Sequence, residues 1–409
     1  MRKQRLVIAG VSLLAVTMAM SACGTRSADP PTGSGSNAAA KVATIGLIAP
    51  LTGNLAPLGL GMKNSVDLAI KQANEANTIP GWKLKLDAQD DTGNPDPGRN
   101  AATKLAADDD VIGVVGTLNS SVAQAVQPVL NSANIVEVSP ANTGTFLTKG
   151  PKLDSPKRPY PNYFRTCTTD AIQGPFAAQY LYTTAGIKKI ATIHDKKAYG
   201  QGLVEAFTEE YKKLGGEVVA AETINPDDSN FNAVVGKIKP SAPEALYYGG
   251  EYPQAGPLSQ QMKGAGLDIP LMGGDGIFDP KFIEQAGGGD TADGDLATSV
   301  GAPTESLTSA KAFVDAYTAG GYKDPYGAYG AYSYDAANAI IKALATSLPN
   351  AADAKSARQP TIEAMKSVTF DGATGKVGFD EYGDATARVL TVYKVDGGKW
   401  KAEKTDEFK

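Results

Sequence analysis

The chain has 409 residues, a formal net charge of −5, one histidine (His194) and two cysteines (Cys23 and Cys167). This length exceeds what one core comfortably serves and predicts two lobes, while scattered charge of negative sum excludes nucleic acid as a partner. One histidine, two cysteines and no CxxC or HExxH exclude a structural zinc site, and no metal or other cofactor is expected.

In chain order, residues 1–22 read as an export signal, since Arg2, Lys3 and Arg5 precede an apolar run from Leu6 to Ala19. That run is short for a membrane-spanning helix. Met20-Ser21-Ala22-Cys23 resembles a bacterial lipobox, with Met20 in place of the commoner leucine, which implies a lipid on Cys23. Residues 23–41 are rich in Gly, Ser and Pro and are expected to be a flexible tether. With Cys23 acylated, Cys167 has no partner and the fold must hold without disulfides.

From Val42 to Pro140, short apolar segments alternate with amphipathic ones. ATIGLI precedes a helical face of Met62, Val66, Ala69, Ile70 and Ala73. KLKLDAQ precedes a helix near Ala101–Ala107, VIGVVG one carrying Val122, Val126 and Val129, and IVEVSP closes the set. Asp108-Asp109-Asp110 reads as a solvated helix end rather than a cation site. The pattern restarts after Cys167 with KKIATIHD, EVVAAETI, EALYYGG, IPLMGG and DLATSV as strands. The expected helices lie near 203–214, 231–238, 257–264 and 280–286. Helices at 309–319 and 329–346 follow, then strands KVGFD, VLTVYKV and KWKAEK. Such β-α-β runs predict an α/β fold of two doubly wound parallel-sheet lobes.

Ligands of such sheets bind beyond the carboxyl ends of the strands. Here those ends read APLTGNLAPLG, GTLNSS and SPANTGT in the first lobe and HDKKAYGQG, YYGGEYP and MGGDG in the second. Glycine allows close backbone approach, and hydroxyls beside unpaired helix-start amides suit a small anion.

The stretches SPANT, RTCTTDAIQGP, IHDKKAYGQG, ALYYGGEYPQAGPLSQQMKGAGL, LMGGDG and VGFDEYGD, in this order, resemble the solute-binding proteins of branched-chain amino-acid ABC importers, of periplasmic-binding-protein type I. The likeness runs through nearly the whole chain after the tether. It implies two lobes joined by three hinge crossovers, near Thr168, Val300 and Ala387, with residues 42–168 and 301–386 in one lobe and 169–300 and 387–409 in the other. It also implies a monomer without catalytic residues, anchored outside the cell membrane, that closes on an amino acid, branched-chain or related, and serves ABC permease subunits; an amide or another small carboxylate is the alternative ligand.

The resemblance places the ligand carboxylate at Ser120, on the donors of a helix start. The Ala141 carbonyl and the Thr143 hydroxyl match positions that bind the α-amino and carboxylate groups. Asp275 matches the acid that pairs with the α-ammonium, one methylene shorter than the usual glutamate, and Tyr199 matches a ring that closes over the ligand. Leu58, Leu118, Asn119, Glu251 and Tyr329 fall in the side-chain pocket, and Gly93 and Asn119 stand where some relatives carry a cysteine pair.

Glu251 departs from the apolar or aromatic contacts of members that take Leu, Ile or Val. A carboxylate buried there alone would cost several kcal/mol. It has three ways out: a polar group on the ligand, Lys196 or Lys197 from the neighbouring strand end, or solvent. Gly249-Gly250 would let the strand end approach the ligand. The proline-rich loop KGPKLDSPKRPYPNY either flanks the cleft mouth or is a surface excursion.

Two other classes compete. An envelope enzyme could use His194-Asp195, but no G-x-S-x-G elbow accompanies the pair, and Gly59-Leu60-Gly61 lacks the third glycine of a dinucleotide fingerprint. A sensing receptor would need a separate membrane partner.

Overall fold

Seven consecutive buried residues, Ala43–Ala49, leave no polar side, and this segment forms a strand covered on both faces. The computed structural model describes residues 40–408. The expected export signal, Cys23 and nearly all of the tether lie outside the described residues.

The first sheet comprises β1 (Lys41–Ala49), β2 (Trp82–Asp90), β3 (Val111–Gly116), β4 (Val136–Ser139) and β5 (Tyr163–Arg165), in the order β2-β1-β3-β4-β5. All its pairings are parallel. The helices Ala56–Glu75, Pro95–Ala107 and Ser120–Ser132 connect them. Gly113 on β3 lacks a side chain because helix Gly330–Ser347 lies there: a Cβ at Gly113 would stand 2.8 Å from Ile340. Helix Arg358–Met365 docks on the same sheet, the Arg358 Nε donating to the Val111 carbonyl at 2.8 Å.

The second sheet begins with β6 (Lys189–His194), β7 (Glu217–Thr223), β8 (Ala245–Gly249), β9 (Leu271–Gly273) and β10 (Leu296–Ser299), parallel throughout. A small hairpin, β11 (Thr369–Gly372) and β12 (Gly375–Gly378), stands apart. Then β13 (Val389–Asp396) and β14 (Lys399–Glu407) return to the second sheet, whose order is β14-β13-β10-β9-β8-β6-β7.

These last two strands run antiparallel, so the second sheet is mixed rather than wholly parallel. The cause is local. Gly397 and Gly398, at φ of 61° and 72°, form a two-residue turn that reverses the chain.

The helix expected near residue 257 starts earlier, at Tyr252, because Glu251 takes the N-cap position and Pro253 suits the first turn. Helix Ala198–Lys213 likewise begins at the strand end. Two helices of eight residues or more were not expected from the periodicity: Asp170–Gln179, where Gly174 and Pro175 interrupt the pattern, and Arg358–Met365. Cys167 is buried and free, its thiol donating to the Asn142 carbonyl at 3.4 Å. In the loop after β4, Leu153 is the one large apolar side chain left exposed among the described residues.

Candidate functional site

Both sheets reverse strand order where the chain enters a ligand-facing crevice: beside β1 and β3 in one, beside β6 and β8 in the other. Between the carboxyl ends of these strands lies a small, nearly closed chamber of about 20 Å³. From the first sheet's side it is lined by Leu58, Leu118, Asn119, Ser120, Ala141 and Tyr329. From the second it is lined by Tyr199, Glu251, Asp275 and Gly276. A larger groove beside Phe278, Tyr326, Tyr393 and Trp400 collects none of these residues.

Ser120 opens helix Ser120–Ser132, so the first amides of that helix have no intrahelical acceptor. Two turns hold this helix start in place. Ser139 Oγ donates to the Thr117 carbonyl at 3.0 Å and receives the amides of Ala141 and Asn142, while Asn142 Nδ2 donates to the Leu118 carbonyl at 2.9 Å. Gly144 N donates to Ser120 Oγ at 3.3 Å. The backbone near Ala141 is anchored from below by Arg165, whose Nη1 donates to the carbonyls of Asn142 and Gly144.

Asp275 follows β9 on a short helical turn and is buried. Its Oδ1 accepts from Gln173 Nε2 and the Tyr199 hydroxyl, each at 2.9 Å, and its Oδ2 from the Tyr329 hydroxyl at 2.7 Å. These partners are neutral. Burial raises the Asp275 carboxyl above its usual range, and the three hydrogen bonds oppose that rise.

Glu251, half the answer to the odd acid in the pocket, has lost solvent: it is 4% exposed. Its Oε2 lies 2.8 Å from Lys197 Nζ and its Oε1 accepts from Asn119 Nδ2 at 2.6 Å. Lys196 instead reaches Asn225. Burial works against the Lys197 charge, but Glu251 and Asp195 outweigh it and hold the ammonium above its ordinary pKa. The glycines before Glu251 do different work from that expected. A Cβ at Gly249 would stand 2.1 Å from the Gly200 carbonyl oxygen, so Gly249 permits strand-to-helix packing, and one at Gly250 would stand 2.3 Å from the Tyr248 hydroxyl, so Gly250 makes room for that ring; neither lines the chamber.

Thr143 stands behind the lining, fully buried, with its hydroxyl unpartnered. Close by is an acid the sequence reading passed over. Asp170 opens helix Asp170–Gln179, its amide donating to the Thr143 carbonyl at 2.8 Å, and neither carboxylate oxygen has a partner. Burial foremost, with the Asp275 charge adding, pushes the Asp170 carboxyl up to about 8. Gln173, one turn on, was also missed. The signal available for both was the TTDAIQGP segment, masked by its broken helical period.

A pH dependence follows. Unfolded aspartates lose their proton near pH 4. In the fold Asp170 keeps it to about 8 and Asp91 to about 7, and Asp195 is raised as well, burial being the main cause in each. Between these values the folded state holds more protons, so stability is greatest at the acid end and is lost as pH rises to 8. The ligand-free melting temperature should be lower at pH 8 than at pH 5, and Asp170→Asn should flatten that slope. An unchanged slope in the variant would remove Asp170 from this account.

A family model described as periplasmic binding protein matches residues 42–399. The chain belongs to the periplasmic binding proteins. Among relatives of this periplasmic binding protein, the Leu/Ile/Val-binding protein BraC3 of Rhizobium johnstonii is 35% identical over 356 residues, covering 87% of this chain and 92% of its own. A leucine-, isoleucine-, valine-, threonine- and alanine-binding protein of Pseudomonas aeruginosa is 32% identical, covering 87% and 90%. In structure, the branched-chain amino-acid transporter substrate-binding protein LivJ of Streptococcus pneumoniae, solved with isoleucine, superposes with a TM-score of 0.79 at 27% identity. That match covers 90% of this chain and all of that one. The likeness shows a two-lobed binding protein of the amino-acid transport family rather than an enzyme. Among the described residues, no helix is long and apolar enough to cross a membrane.

Proposed function

We propose that this periplasmic binding protein captures one α-amino acid between its lobes and delivers it to an ABC permease, tethered to the membrane by lipid on Cys23. One observation carries the reading: a helix start with free donors at Ser120 and a buried acid at Asp275 line one chamber from opposite lobes. The first complements a carboxylate and the second an ammonium. The Ala141 carbonyl adds an acceptor for the ammonium, and Tyr199 and Tyr329 close over it.

Closure removes water, which strengthens both charge contacts and rewards a ligand that satisfies them together. Relatives named for leucine, isoleucine and valine, and one also for threonine and alanine, support an amino acid as cargo. Calorimetry tests this. A free amino acid should bind with one-to-one stoichiometry, and its N-acetyl and carboxamide derivatives should each bind at least a hundredfold more weakly. Tight binding of a sugar, or of a carboxylate without an ammonium, would overturn the reading.

A further inference from the structure

The zwitterion leaves two polar lining residues unexplained, Asn119 and Glu251. If the ligand's carboxylate and ammonium go to Ser120 and Asp275, the hydroxyls of Tyr199 and Tyr329 are already committed to Asp275. Glu251 is buried against the chamber, and its carboxylate is held from two sides, by Asn119 of the facing lobe and Lys197 of its own.

We propose that Glu251, positioned by Lys197 and Asn119, selects the ligand's side chain and favours one ending in an uncharged hydrogen-bond donor, a hydroxyl or carboxamide, over an aliphatic one. This rests on the amino-acid reading of the chamber.

A carboxylate offers about four lone-pair directions. In Glu251 one oxygen accepts from Asn119 and the other from Lys197, and even with the Asp195 carboxyl alongside as a further donor an acceptor direction stays open in a site closed to water. A hydroxyl or amide N–H fills one. A leucine or isoleucine end cannot, and would press hydrocarbon against a polar group already stripped of solvent. Charged ends fare worse. An acidic side chain would meet the Glu251 carboxylate, while a basic one would meet the Lys197 ammonium 2.8 Å from that carboxylate. The Asn119–Glu251 bond also joins the two lobes, so a ligand donor that shares Glu251 is read in the closed state.

Calorimetric titration of the wild-type chain with serine, threonine, asparagine, glutamine, valine, leucine and isoleucine tests this. The tightest of the hydroxyl or carboxamide set should bind at least tenfold more tightly than any aliphatic one. Glu251→Leu should shift that ratio toward the aliphatic set by tenfold or more. Tightest wild-type binding of leucine, isoleucine or valine overturns the proposal, as does an unchanged order in Glu251→Leu. Should the variant fail to fold, the wild-type order decides alone. Binding of leucine in preference to the polar set sinks this inference but keeps the amino-acid reading. Binding of none of the seven sinks this inference, and binding of no proteinogenic amino acid at all sinks both.

Discussion

Asp275→Asn is expected to weaken amino-acid binding by about 3–5 kcal/mol, a hundredfold to several thousandfold, because the ligand's ammonium would then be buried without a countercharge. Asparagine matches aspartate in size, so the packing around the chamber should survive. The wild-type residue is 3% exposed, and its hydrogen-bond partners are a carboxamide and two phenols, none of which carries positive charge. Burial without a cation is what raises its carboxyl, and an arriving ammonium supplies the missing charge. Calorimetry at neutral pH measures the loss, with a melting curve to verify folding. Affinity within twofold of wild type would take Asp275 out of the binding site.

Arg165→Met should destabilise the fold by about 3–5 kcal/mol, since it removes one partner of a buried ion pair and leaves the other. Arg165 is fully buried at the end of β5, with Nε 2.8 Å from Asp384 Oδ1. Burial lowers its pKa, but the Asp384 charge overrides this and the guanidinium is held above its ordinary range. Its remaining donors go to the carbonyls of Asn142 and Gly144 and to the Thr148 hydroxyl. In the variant Asp384 would keep only Lys149, at 3.8 Å, as a cationic partner. The loop that places Ala141 would also lose its support, so ligand affinity should fall with stability. Urea denaturation followed by tryptophan fluorescence measures the first effect. Arg165→Met combined with Asp384→Leu should recover part of the loss, because no lone charge remains buried. A midpoint shift worth less than about 1 kcal/mol in the single variant would contradict the argument.

The acid of the YYGGEYP segment shows where reading the chain stops. That an acid follows the end of β8 is plain from the residues, because the apolar run before it has strand period and the prolines and glycines mark its end. That Lys197 neutralises it is not, since the two are 54 positions apart and meet only because β6 and β8 are neighbours in the sheet. Asn119 is further away still, 132 positions, and reaches Glu251 from the strand ends of the other sheet.

Other omissions share this cause. The three residues of β5 are too few to show a period, and their strand exists because β4 offers an open edge. Asp170 sits in a polar run with no helical alternation, and only the packing around Thr143 and Asp275 makes it a buried acid. Residue by residue, the sequence determined which segments are strands and helices and which polar types stand at their ends, because side-chain period and turn chemistry act over a few neighbours. The tertiary structure alone decided strand order, the antiparallel pairing of β13 against β10, and which charges share a chamber. Those depend on how distant apolar faces are buried against one another, and no local spacing encodes that.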